Sequence, residues 1–170
     1  MTTPGDPIQD FWALACRYAH VSDLDVYLGT PWGKAVAPQT WSFGDTPELA
    51  DRLLELVLDG TKTATSGLES EYADAGEPLP RPGDLAIVVD GAGTPRALIR
   101  TVEVVVVPFV EVTPAQAAAE GEGDRTLTSW RAEHRSAWEA RGQEVDDATR
   151  VVWERFKVVF PASGSNVRHR

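Results

Sequence analysis

The segment DGTKTATSG, residues 59–67, sets Lys62 among threonines, although thirteen of the sixteen basic residues in the chain are arginines. The chemistry that separates these two cations is proton transfer. A hydroxyl that attacks a carbonyl must give its proton to a base. A lysine can accept it once burial or a neighbouring cation weakens its hold on its own proton. An arginine stays charged. Lys62 is therefore a candidate base and Thr65 a candidate nucleophile. In a regular strand, side chains three apart point to opposite faces, so the two cooperate only where residues 61–65 turn or bulge. A second reading of the same residues is structural: a lysine just past a helix end answers the negative pole of the helix dipole, and threonines favour extended chain.

Other chemistry-bearing residues follow. EGEGD, residues 120–124, offers Glu120 and Glu122, either as site carboxylates or as a solvated loop in which Asp124 or Thr126 caps the next helix. His134 shares a helix face with Trp130 and Trp138 and reads as a hydrogen-bonded, partly buried histidine. It has no companion at metal-ligand spacing, so neither a metal nor a cofactor is expected. Glu154 falls on the apolar side of a strand, where a carboxylate needs a cation or several donors; Lys62 or an arginine are the candidates. Trp41, Phe43, Tyr72 and Trp130 have flat faces on which a base could stack, although each reads first as core. Tyr72, in the polar ESEYADAGE, suits a pocket rim. Ser66 and Arg81 are candidate contacts for polar ligand groups.

The elements that position these residues are legible in part. PIQDFWALACRYAH, residues 7–20, has helical apolar spacing with Pro7 near its start. Residues 21–44 are rich in Gly and Pro and read as an arm whose Tyr27, Trp32 and Trp41 pack on the body. DTPELADRLLELVLDG is a capped helix, with Asp45 or Thr46 at its start, a Leu49–Leu53–Leu56–Val57 stripe and Gly60 past its end. Strands follow from Leu85 to Asp90 and along RALIRTVEVVVVPFVEV, joined by the hairpin loop DGAGTP. The Val104–Val107 run lacks alternation and is expected to be covered on both faces. A short helix, the acidic loop, a longer helix through Trp130 and Trp138, and the alternating strand TRVVWERFKVVFP complete the chain. Hairpin-linked strands beside clustered helices indicate an α+β fold, a small mixed β-barrel with flanking helices. Residues 1–40 form an N-terminal helix and arm, 41–161 the domain, and 162–170 a disordered tail.

A single cysteine, Cys16, excludes an internal disulfide. No apolar run approaches the roughly 20 residues that cross a bilayer, and the chain reads as cytoplasmic, with no membrane association and no protein partner evident. The net charge of −10 weighs against a binder of long nucleic acid, which draws its affinity from clustered Lys and Arg. A small nucleic-acid-like ligand fits better.

Taken in order, WSFGD, LDGTKTAT, PGD, EGEGD followed by W and H, and ERFKVV resemble the ASCH domain family over about residues 41–160. The most specific piece is Gly-x-Lys-x-x-Thr, here Gly60, Lys62 and Thr65. The resemblance implies a small barrel related to PUA domains, and activity on RNA or its nucleosides. One branch hydrolyses the amide of N4-acetylcytidine with the motif's threonine and lysine and a downstream glutamate. Members of about this length are associated with cleavage of single-stranded RNA, and others are RNA-binding modules. Carried over, the resemblance implies Lys62, Thr65 and Glu122 as catalytic residues, with Glu120 the other match for the glutamate. Gly60, Ser66, Tyr72, Arg81, Glu120, Trp130 and Glu154 are the expected ligand contacts. The implied partner is a nucleoside or single-stranded RNA, and no cofactor is implied.

Overall fold

A computed structural model describes residues 5–18 and 36–161. Tyr27, Trp32 and the tail at 162–170 lie outside the described residues. Among these residues the helices are α1 (Pro7–Tyr18), α2 (Pro47–Leu58), α3 (Glu69–Ala75), α4 (Pro114–Glu120) and α5 (Leu127–Ala140). The strands are β1 (Thr40–Trp41), β2 (Ala64–Leu68), β3 (Leu85–Val89), β4 (Pro95–Pro108) and β5 (Arg150–Phe160). They form one mixed five-stranded sheet in the order β1-β3-β4-β5-β2, so the class is α+β, as expected. β1 and β2 stand at its two ends. The sheet is not a closed ring, because β1 is two exposed residues and offers no ladder to close on.

The chain separates into two compact units. The first holds residues 1–59, 83–100 and 157–170. In it β1 runs parallel to β3, and β3 pairs antiparallel with the start of β4, with a register shift at Val88/Val89. Trp12 and Ala15 of α1 pack with Leu85, Ile87 and Leu98. α2 begins where Thr46 accepts a hydrogen bond from the Leu49 amide with Pro47 in its first turn. It buries Ala50, Leu53, Leu54 and Val57. Trp41 is 38% exposed and rests on buried Phe43 at 4.4 Å between ring centroids.

The second unit, residues 60–82 and 101–156, carries every remaining candidate. β2 pairs antiparallel with β5, Thr65 opposite Glu154 and Ser66 opposite Trp153. The core is Leu68, Phe109, Val112, Ala117, Trp130, Trp138, Val145 and Val151. The Val104–Val107 run is half-buried rather than covered on both faces. α3 was not signalled by the sequence, since its seven polar-rich residues bury no side chain. Glu71 starts it by accepting from the Leu68 amide at 3.0 Å.

Candidate functional site

α4 and the entry to β2 are joined backbone to backbone. The Thr63 amide donates to the Ala119 carbonyl at 2.8 Å. That contact points Lys62 at the C-terminal end of α4. The lysine is 1% exposed; its Nζ donates to Glu122 Oε1 at 2.6 Å and to the Glu120 carbonyl at 3.3 Å, with Glu120 Oε2 at 3.9 Å. Glu120 is itself 1% exposed and saturated with donors. Its Oε1 accepts from Ser66 Oγ and from Trp130 Nε1 at 2.8 Å, and its Oε2 meets His134 Nε2 at 3.1 Å. Burial pushes the Glu120 carboxyl up, but the His134 hydrogen bond, the charges of His134 and Lys62 and the Ser66 hydroxyl outweigh it, so the group is held below its ordinary value. His134 stacks on Trp130 at 4.3 Å, and its Nδ1 lies 3.0 Å from the Trp130 carbonyl. The fold thus gathers Lys62, Ser66, Glu120, Glu122 and Trp130 and adds His134, which sequence reasoning read as hydrogen-bonded without naming its partner. The signal was present in the W-x-x-x-H spacing.

Gly121 makes this convergence possible. It takes φ +71°, and a Cβ there would stand 2.5 Å from the Thr61 carbonyl oxygen and 2.9 Å from Lys62 Cα. The left-handed turn returns Glu122 toward the ammonium that Glu120 already faces. Gly121→Ala is expected to destabilise the protein by about 1–3 kcal/mol, from backbone strain at positive φ before the clash is counted. A denaturant unfolding midpoint unchanged from wild type would refute this.

A second polar group surrounds Glu154. Thr65 lies directly opposite it, and Thr101 Oγ1 donates to its carboxylate. One donor to this carboxylate is thus a threonine on β4. The Tyr72 hydroxyl lies 3.5 Å from a Cβ built on Gly67, two residues along β2 from Thr65. Burial and the negative charges of Glu154, Glu71 and Glu77 push this phenol up to about 12. An ultraviolet titration should show a phenol ionising near pH 12 that disappears in Tyr72→Phe; its persistence there would count against the burial. By strand parity Ser66, not Thr65, shares the Glu120 side of β2. Gly60 takes φ +84° at the end of α2, and Arg81 is exposed. Asp124 accepts from Thr126, which caps α5. Among the described residues no group of three or more His, Cys, Asp or Glu could hold a metal ion, and no helix is long and apolar enough to cross a membrane.

The family model of the ASCH domain matches residues 39–160. The chain belongs to the ASCH domain family. A crystal structure of an ASCH domain from Lactobacillus crispatus is 28% identical with a TM-score of 0.67, covering 84% of this chain and 94% of that one. A crystal structure of a protein from Enterococcus faecalis is 26% identical with a TM-score of 0.71, covering 96% of both chains. None of the curated proteins matches. In this ASCH domain the motif lysine is an interior group, and its nearest carboxylate partner is Glu122 rather than Glu120.

Proposed function

We propose that this ASCH-domain protein acts on RNA or its nucleosides, as a metal-independent amidohydrolase of N4-acylated cytidine working through Lys62, Thr65 and Glu122. The observation that supports it most is a lysine with no exposed side-chain surface held 2.6 Å from a carboxylate that keeps 23% of its own. One proton can be shared across that distance. With the proton on Glu122, the amine is a free base for a hydroxyl, and the carboxylic acid is a donor for a leaving amine. In this reading Thr65 Oγ1 is the nucleophile and Lys62 its base. Because β2 turns Thr65 to the face opposite Glu120, the reading requires the entry to β2 to reorient on ligand binding. Thr65 then attacks the acyl carbon, its proton passes to Lys62, the bond to N4 breaks, and Glu122 protonates N4. Water then hydrolyses the acyl ester and restores the threonine. β2 ends the sheet order, so a ligand along that strand meets Thr65 from one face and the Lys62 side from the other.

The alternative, a single-stranded RNA binder or ribonuclease, asks Lys62 to meet phosphate as a fixed charge. Its enclosure favours the first reading. Purified protein assayed on N4-acetylcytidine should release cytidine and acetate at a rate insensitive to added salt. Absence of turnover, with cleavage or salt-sensitive binding of single-stranded RNA instead, would favour the alternative.

A further inference from the structure

Arg131 and Arg135 lie one turn apart on α5. With Phe109, Val110, Ala132 and Asp147 they line a concavity of about 160 Å³. A single water needs about 10–15 Å³ of such space, so a tetrahedral anion fits with room for part of its substituent. Arg131 Nη2 donates to the Val110 carbonyl at 2.7 Å, while its buried Nε has no hydrogen-bond partner among the described residues. Arg135 donates to the Val145 carbonyl and sits 4.7 Å over the Phe109 ring, which fixes its plane. Its carboxylate contact, exposed Glu139, is at 4.0 Å, and Asp146 also feels its charge. Arg131 is therefore the principal donor.

In a chain of net charge −10, other arginines meet carboxylates closely, Arg141 with Glu71 at 2.8 Å and Arg155 with Glu103 at 2.6 Å. A guanidinium that keeps a buried donor orphaned beside an open concavity calls for a ligand. We propose that this concavity binds the phosphate of a nucleotide or of single-stranded RNA, with Arg131 presenting a planar fork and Arg135 a second cation. Asp147 in the lining, with Glu139 and Asp146 facing Arg135, offsets the second arginine, so the site rests on Arg131 as the cation for one phosphodiester. The nucleotide part of this inference rests on the RNA-directed reading above; the anion site itself does not.

The test is a binding titration of the purified protein with inorganic phosphate, cytidine, cytidine 5′-monophosphate and a short oligocytidylate. The phosphorylated ligands should bind at least about tenfold more tightly than cytidine, the worth of one charge-assisted pair, and inorganic phosphate should compete with them. Arg131→Gln and Ala132→Glu should each remove that advantage and leave cytidine binding unchanged. Ala132 is exposed, so its variant keeps the test valid if Arg131→Gln does not fold. Tighter binding of the oligonucleotide than of the monophosphate identifies the polymer as the source, and equal binding identifies the mononucleotide. Equal affinity for cytidine and its monophosphate, or an advantage that survives in both variants, overturns the site. Turnover of N4-acetylcytidine without a phosphate advantage removes this inference alone; a phosphate advantage without turnover removes the amidohydrolase reading alone.

Discussion

Lys62→Arg is expected to fold and to lose deacetylation of N4-acetylcytidine by a factor of about 10²–10⁴, the range supplied by a positioned acid or base. The substitution keeps a cation beside Glu122, so the buried carboxylates keep a counter-charge, and the guanidinium fork can meet Glu122 as the ammonium does. What it removes is the capacity to give up a proton. The loss should fall on kcat and leave KM near its wild-type value, because Lys62 is enclosed and does not bind the ligand directly. A melting temperature near that of wild type separates lost chemistry from lost structure. Activity within a few-fold of wild type would end the proposal that Lys62 moves a proton and would return it to the role of a fixed charge.

Glu120→Ala is the substitution with the largest expected effect on stability, a loss of about 3–5 kcal/mol, as when one partner of a buried ion pair is removed. Three donors converge on that carboxylate, from Ser66, Trp130 and His134, with the Lys62 ammonium 3.9 Å away, and the three would lose their acceptor. Against a typical domain stability of about 5–15 kcal/mol, such a change is visible in the denaturant midpoint. Glu120→Gln keeps an acceptor for Ser66 and Trp130 and should cost less. The acid side carries a second readout. Because the folded Glu120 carboxyl lies below its ordinary value of 4.5, its contribution is fully present above that pH and is lost as pH falls through the folded value. The wild type should therefore lose stability below about pH 4.5 more steeply than Glu120→Gln. Parallel acid profiles for the two proteins would show that Glu120 is not the linked group.

The sequence was informative wherever the determinant is local. The leucine stripe of α2, Thr46 and Pro47 at its start and Gly60 past its end fix that helix within one segment. The hairpin of β3 and β4 and the aromatic face of α5 follow from periods of 2 and 3.6, while the alternation expected in β5 holds only in part, because Val151, Val152 and Trp153 are buried in succession. α3 was missed because seven residues with no apolar stripe leave no periodicity to read; its start depends on one side-chain bond from Glu71. The exposure of Val104–Val107 was misjudged because hydrophobicity along a strand does not state what lies over it. The choice of lysine over arginine at position 62 and the ASCH motif named Lys62 and Thr65 as candidates before any coordinate did.

What lay beyond the sequence is the company these groups keep. Lys62 is 58 residues from Glu120 and 60 from Glu122, and Glu154 is 53 from the threonine that donates to it. No propensity or spacing rule reaches across such separations, because side-chain partners are set by the register of packed backbones. Here that register is the seam between α4 and the start of β2, closed by a glycine at positive φ. Sequence alone determined which residue types could exchange protons and which segments would carry them. The tertiary structure decided that Glu122 shares the Lys62 ammonium, that Glu120 binds Ser66, Trp130 and His134, and that Thr65 faces Glu154, since the close approach of two backbones fixes the direction of every side chain along the seam.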